Sequence, residues 1–283
     1  MANASVLSSD PAKVAVQIGR YLIDVDMFPV FLMAHFSIAC LMIREDSKDL
    51  GPKFRQNHPM ASWVSSILTS LAGVFVTNFL FGTAVVDIIK EDKLIIVVTI
   101  IWYFMNYGPF DLLFKIVRLP PVYMALSLLQ ENLRARCIFQ GLQQATKAYP
   151  GAVIIVLLAG VINGNGYGYV RIVERLIRGK WIPGSNDFLE VTYFAKSSLY
   201  ASAAFMLQRS GLIAVKEELV YLSVVAVFMI FRVLITVTPY KDPLLPIERP
   251  AARLLFGVGD MRKHAGETTG KIENGKIESK KKR

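Results

Sequence analysis

The sequence predicts an all-α polytopic membrane protein with seven transmembrane helices, arranged as an inverted three-helix repeat plus a seventh helix. Three observations predict it. Hydrophobic residues make up 53% of the 283 residues and the mean hydropathy is +0.43, and several windows meet or approach the about 20 apolar residues that a membrane span needs. The stretch from Phe28 to Ala34 resembles that from Leu119 to Ala125, with Pro29 and Pro121 92 residues apart; Pro59 and Pro150, which open the next spans, are 91 apart. Lys and Arg divide 21 to 7 between alternate sets of loops, leaving Arg134, Arg136, Lys196 and Arg232 inside spans.

The first span runs from Met27 to Ile43. Residues 1–26 ahead of it, a lumenal segment by the Lys and Arg bias, lack the basic start, short apolar core and cleavage site of a signal peptide, so the first span is expected to serve as its own targeting signal. The second span runs from His58 to Phe81. The third, Leu94 to Ile116, is interrupted at Gly108-Pro109, a kink that a membrane helix tolerates when neighbours satisfy the freed carbonyls. The fourth, Pro121 to Ala145, carries Gln130, Glu131, Asn132, Arg134 and Arg136. Its hydropathy alone does not identify it; its likeness to the first span does.

The fifth span opens at Pro150 and stays apolar to Ile162. It then meets Asn163, Gly164, Asn165, Gly166, Tyr167 and Gly168, a density of glycine that predicts a broken helix. The sixth runs from Tyr193 to Leu207 and the seventh from Leu219 to Val237. The segments are therefore a first repeat over 27–118, a second over 119–209, a seventh helix over 210–240 and a basic tail over 241–283, expected to be disordered. Three spans per repeat make the second copy enter from the opposite face, which is the inverted plan. The excess of Lys and Arg puts the amino terminus in the lumen and the tail in the cytosol.

The net charge of +10 lies in loops and tail, so it fits membrane orientation and anionic lipid, not nucleic acid. Cys40 and Cys137 both fall within spans and read as buried thiols, not a disulfide. His35, His58 and His264 form no metal or catalytic spacing, and nothing supports an enzyme. Asn3-Ala4-Ser5 is a formal glycosylation sequon, and Lys280-Lys281 resembles a dilysine retrieval signal; a simply basic end explains the latter equally well.

A charge in hydrocarbon costs at least about 2.5–3.5 kcal/mol, so the charged residues within spans are functional candidates. Gln130 and Arg134 are four apart and stack on one helix face, where they suit a phosphate or an aqueous path. Lys115 and Arg118, after the Gly108 break, anchor the cytosolic side or join Gln130 and Arg134 in a polyphosphoinositide headgroup site. Lys196, followed by Ser197 and Ser198, either snorkels to the interface or projects into a pore. Gly73 in the second span suits close packing.

Several segments, taken in order, resemble the trimeric intracellular cation (TRIC) channel family over roughly residues 15 to 245. They are His58-Pro59-Met60-Ala61-Ser62-Trp63, Trp102-Tyr103, Gly108-Pro109-Phe110-Asp111-Leu112-Leu113-Phe114-Lys115, Gly179-Lys180-Trp181-Ile182-Pro183 and Ala195-Lys196-Ser197-Ser198-Leu199-Tyr200. The resemblance implies a homotrimer with a pore in each subunit. It also implies potassium conductance in the endoplasmic or sarcoplasmic reticulum that offsets the charge moved by calcium release.

Family members bind a phosphoinositide near a Lys-Glu-Val motif followed by an arginine; the matching positions here read Gln130, Glu131 and Asn132, with Arg134 retained. Lys196 matches the family lysine of the sixth helix and Asp111 the aspartate after the kink. The resulting expectation is a passive monovalent cation channel with no cofactor other than a bound phosphoinositide resembling PIP2. Its pore and gate comprise Lys196, Arg134, Glu131, Gly73, Gly164 and Ser197, and its headgroup site Gln130, Arg134, Lys115, Arg118 and Gly108. The alternative is an inverted-repeat secondary transporter, for which Glu131 is the one acidic coupling candidate.

Overall fold

Prolines open two of the longest helices in the computed structural model, which describes residues 11–51, 53–181, 191–238, 242–246, 248, 250 and 254. By its contacts the chain divides into Met1–Lys241 and Asp242–Arg283. In the second unit the Asp242 carboxylate accepts from the Leu244 N–H at 3.0 Å; most of the expected basic tail, with His264 and the dilysine, lies outside the described residues, as does Asn3.

The first unit is helical throughout its described core. Helix α1 is Pro11–Asp24, α2 Val30–Asp46, α3 Phe54–Asn57, α4 Pro59–Leu80 and α5 Asp92–Tyr107. Helices α6 (Leu112–Arg118), α7 (Pro120–Ala148), α8 (Val153–Ile177), α9 (Tyr193–Arg209) and α10 (Glu217–Val237) complete it. Pro59 and Pro120 occupy first-turn positions, where the missing N–H costs no intrahelical bond. The Thr192 hydroxyl accepts from the Ala195 N–H at 3.4 Å and starts α9. Gly179, at φ +70°, stops α8 with paired bonds from the Gly179 N–H to the Leu176 carbonyl and the Lys180 N–H to the Arg175 carbonyl.

Among the described residues α4, α8 and α10 are long and apolar enough to cross a membrane, and the bent pair α5 and α6 makes a fourth candidate. Helices α2, α7 and α9 also stand where spans are expected, but α2 and α9 have 17 residues each and α7 carries too much charge to qualify by composition.

Several boundaries differ from expectation. The first helix starts at Val30, not Met27, and residues 1–26 hold α1, an amphipathic helix of 14 residues that packs on α10. The third span does not continue to Ile116: α5 ends at Tyr107 and the chain turns by 93° into α6. The fifth span runs past Ile162 to Ile177, and its expected break is a single distorted residue, Asn165, at φ −133° and ψ 30°.

Apolar packing gathers in two clusters. One joins α2, α4, α5 and α6 around Phe36, Leu71, Val98 and Met105. The other joins α7, α8, α9 and α10 around Ile138, Leu142, Phe205 and Tyr221. In the second, Phe139 meets Phe205 and Tyr221 edge-on with centroids 5.3 and 5.6 Å apart, a favoured aromatic geometry. Two tryptophans pin α4 to α5: Trp102 Nε1 donates to the Ser62 hydroxyl at 3.2 Å and Trp63 Nε1 to the Thr99 hydroxyl at 3.0 Å.

Candidate functional site

The two clusters meet where α4 crosses α8. Helices in lipid gain little from apolar burial and associate through close packing of small residues. Here a Cβ on Gly166 would fall 2.2 Å from the Gly73 Cα, and a Cβ on Gly73 would fall 2.5 Å from the Asn163 carbonyl oxygen. Only glycine at both positions permits this contact. Around the crossing α4 buries Ser65, Ser66, Thr69, Ser70 and Thr77. Ser66 donates back to the Ser62 carbonyl at 2.9 Å, whereas the hydroxyls of Thr69, Ser70 and Thr77 and the Asn163 side-chain oxygen have no protein partner among the described residues.

Gly164 does not face α4. A Cβ there would strike Ile138 Cγ1 at 2.3 Å, so this glycine sets how closely α8 approaches α7.

A second site lies inside α7, α9 and α10. Glu131 is fully buried; its Oε2 lies 2.7 Å from Arg134 Nη2 and its Oε1 3.9 Å from Arg232 Nε. Arg134 Nη1 donates to the Ser197 hydroxyl at 3.0 Å and the Phe194 carbonyl at 3.3 Å. Its guanidinium also lies over the Phe228 ring, 4.0 Å from the centroid. Arg232 donates to the Ser127 hydroxyl at 3.0 Å and reaches the Tyr123 hydroxyl at 3.5 Å. One buried carboxylate thus stands between two buried cations, the arrangement that keeps charge tolerable away from water.

Gln130 and Arg134 do not act as a pair. Gln130 turns to α2, where its Nε2 lies 3.0 Å from His35 Nδ1, while Arg134 turns to α9 and α10. Along α7 they sit about 15 and 21 Å from Pro120. Lys115 and Arg118 are exposed on α6, next to that start, with Arg118 3.7 Å from Glu45. The five expected headgroup residues therefore occupy two depths. Lys196 is half-buried in the first turn of α9, its N–H bonded to the Thr192 carbonyl.

The third site ties the ends of α2 and α8. Arg178 Nη2 lies 2.6 Å from Asp46 Oδ2, and its Nε 2.5 Å from Glu174 Oε1, with both the Arg178 and Glu174 side chains fully buried. Arg175 and Lys180 also approach Asp46, at 3.2 and 3.4 Å, and Lys180 reaches Asp49 at 2.9 Å. Burial by itself would raise the Asp46 carboxyl, but the Arg178 hydrogen bond and the three cations hold it below the usual carboxylate range. The same acceptors keep Arg178 above its ordinary value despite its desolvation.

The bend after α5 has a comparable clamp. Arg44 donates to the Met105 carbonyl and pairs with Asp111 at 3.0 Å, and Arg55 donates to the Asn106 carbonyl at 3.2 Å. These guanidiniums take the carbonyls that the Gly108-Pro109 break leaves open. The Arg44 hydrogen bond holds the Asp111 carboxyl below its ordinary value.

From the sequence, Arg44, Arg55, Arg175 and Arg178 count only as positive charges on one side of the membrane, and Asp46 and Glu174 carry no assignment. The Glu174–Arg178 spacing of four was a visible signal; the long-range partner Asp46 had none. Arg232, unexplained from sequence, is the second cation at Glu131.

The family model described as TRIC channel matches residues 49–239 of this chain. The trimeric intracellular cation channel type 1B.1 of Caenorhabditis elegans is 33% identical over 246 residues, which cover 87% of this chain and 83% of that protein. A solved trimeric intracellular cation channel of C. elegans, determined without Ca2+, superposes with a TM-score of 0.75 at 34% identity and covers 82% of this chain and 99% of its own. A solved TRIC counter-ion channel, studied for its activity in calcium release, gives the same TM-score at 27% identity over 81% of this chain and 100% of its own.

Proposed function

The chain belongs to the TRIC channel family, whose members are cation channels and not enzymes, and on that premise we propose that it is a passive, potassium-conducting channel of the endoplasmic or sarcoplasmic reticulum. In this reading it supplies counter-ion current during calcium release. It works as a homotrimer with one pore per subunit, its amino terminus in the lumen and its tail in the cytosol.

The observation that carries the reading is the α4–α8 crossing. Two membrane-length helices, one from each apolar cluster, bury a row of hydroxyls and an amide oxygen with no protein partner among the described residues at a glycine-on-glycine contact. Polar groups at such depth are affordable only beside protein or water, and their oxygens suit a partly dehydrated cation. Helices α4 and α8 form the pore wall, and Lys196, with Arg134, Glu131 and Ser197 behind it, forms the gate. Phosphoinositide binds with its headgroup at Lys115, Arg118 and Gly108, and Gln130 and Arg134 act deeper along α7. Glu131 is already paired with Arg134, which disfavours its use as the coupling acid of a secondary transporter.

Planar-bilayer recording of the purified protein under a potassium gradient is the test. A reversal potential at the potassium equilibrium value is expected. Absence of current, or current coupled stoichiometrically to a second solute, would sink the reading. For the lipid, Lys115→Ala with Arg118→Ala should lower phosphoinositide retention, and unchanged retention rejects that headgroup assignment.

A further inference from the structure

His35, half-buried on α2, touches two other helices with its two ring nitrogens. Nε2 lies 2.9 Å from the Ser70 carbonyl oxygen of α4, and Nδ1 lies 3.0 Å from the Gln130 side-chain nitrogen of α7. A carbonyl oxygen only accepts, so Nε2 carries the hydrogen. In a neutral ring Nδ1 is then a lone pair, and the Gln130 amide must donate to it. This fixes both the tautomer of the ring and the direction of the carboxamide. Gln130 is left with Oε1 turned away from His35, and no donor among the described residues bonds to that oxygen.

The place of this contact gives it meaning. Ser70 is three residues, about 4.5 Å along the axis, from Gly73, so the imidazole ties Gln130 to α4 within about one turn of the helix crossing, on the stretch where the Thr69 and Ser70 hydroxyls have no protein partner among the described residues. We propose that His35 is a positioning residue for ion passage: it holds the Gln130 carboxamide so that its carbonyl oxygen faces the α4–α8 crossing, where it favours a cation. The inference rests on the pore reading above.

The device has a built-in reversal. A proton added at Nδ1 turns that nitrogen from acceptor to donor, and it then opposes the Gln130 NH2. The carboxamide relieves this by rotating half a turn, so that Oε1 accepts from the ring and the NH2 group faces the crossing. A cation then meets donors in place of an acceptor. The charged neighbours do not interfere: α4 has no titratable side chain, those of α5 (Asp92, Lys93, Tyr103 and Tyr107) lie toward its ends, and α6 offers only Lys115 and Arg118 at the end of the bundle. On α7, Glu131 and Arg134 pair with each other, Arg232 reaches Tyr123, and Arg136, Cys137 and Lys147 lie beyond Arg134; on α2 itself Cys40 is buried, Arg44 binds Asp111, Glu45 pairs with Lys48 and Asp46 with Arg178.

The test is bilayer recording of the full chain at stepped pH from about 7.5 downward, through and below the ordinary imidazole value, with His35→Gln and His35→Phe. Wild-type current should fall several-fold on acidification. H35Q, which can still donate and accept but not titrate, should conduct at the higher pH and lose the acid response; H35F should conduct poorly throughout. An unchanged acid response in H35Q, or wild-type currents in H35F, overturns the proposal. Nitrogen-15 NMR of protein labelled at histidine and glutamine and carrying His58→Gln and His264→Gln reads the positioning without conduction. A single ring protonated on Nε2, with Gln130 amide signals that move as it titrates, supports it, and an Nδ1–H tautomer overturns it. Absence of any wild-type current would instead remove the pore reading.

Discussion

Arg178 binds Asp46, 132 positions before it at the end of α2, while the same guanidinium holds Glu174 on the last turn of α8. Removing one partner of a buried ion pair leaves a stranded charge, at a cost of about 3–5 kcal/mol. Arg178→Ala should therefore lower the thermal midpoint of the purified protein sharply. Asp46→Ala should cost less, because Asp46 is partly exposed and Glu174 keeps Arg178. A melt in which the two variants match contradicts this ordering.

The same contact predicts an acid dependence. Asp46 is held below its ordinary value in the folded protein, so the stability it contributes is complete above the unfolded carboxylate value of about 3.9 and is lost as pH falls through the lower folded value. Wild-type protein should lose thermal stability over that interval, and Asp46→Asn should start lower and fall less. Parallel curves for the two proteins would show that another carboxylate dominates.

At the helix crossing, Gly166→Ala puts a methyl group where the Gly73 backbone stands. The backbones must separate, with a cost of about 1–3 kcal/mol typical of overpacking. Reduced thermal stability together with altered conductance is expected. Gly164→Ala, which meets the Ile138 side chain and not a backbone, should cost less, and an inverted order would contradict the packing described.

Arg134 and Arg232 should differ although both are buried. Arg232→Ala leaves Glu131 and Arg134 as a balanced pair. Arg134→Ala leaves Glu131 only a partner at 3.9 Å and frees Ser197 and the Phe194 carbonyl. Thermal unfolding should rank R134A as the more damaging, by about 1 kcal/mol or more given the typical penalty for an unpaired buried group. Equal melts would refute the ranking.

What the sequence made readable follows a physical division. Pro29, Pro59, Pro121 and Pro150 and the hydropathy windows speak of local structure, so they located the helix starts and even the polar α7 to within a few residues. The amphipathic α1 escaped because its 14 residues are too few and too polar for a span. The bend at Gly108-Pro109 was foreseen but not its 93° size, which depends on Arg44 and Arg55 reaching across from other elements. Gln130 and Arg134 share a helix face by spacing, yet neighbouring helices divide that face between His35 and Ser197. Partners of this kind, set by tertiary contact alone, leave no trace in the local sequence.

The contact of Gly73 with Gly166 also fixes a fulcrum. No side chain separates the two backbones there, so the helices can tilt about one another while the midpoint barely moves. Helix α4, Pro59–Leu80, extends about 21 Å from Gly73 toward Pro59 and about 10 Å toward Leu80, and a tilt of about 5° sweeps the longer arm's end by about 1.8 Å. Leverage is then greatest farthest from the pivot, where the Arg178 pairs with Asp46 and Glu174 act as a brake. Few bonds are needed there to arrest the whole lever.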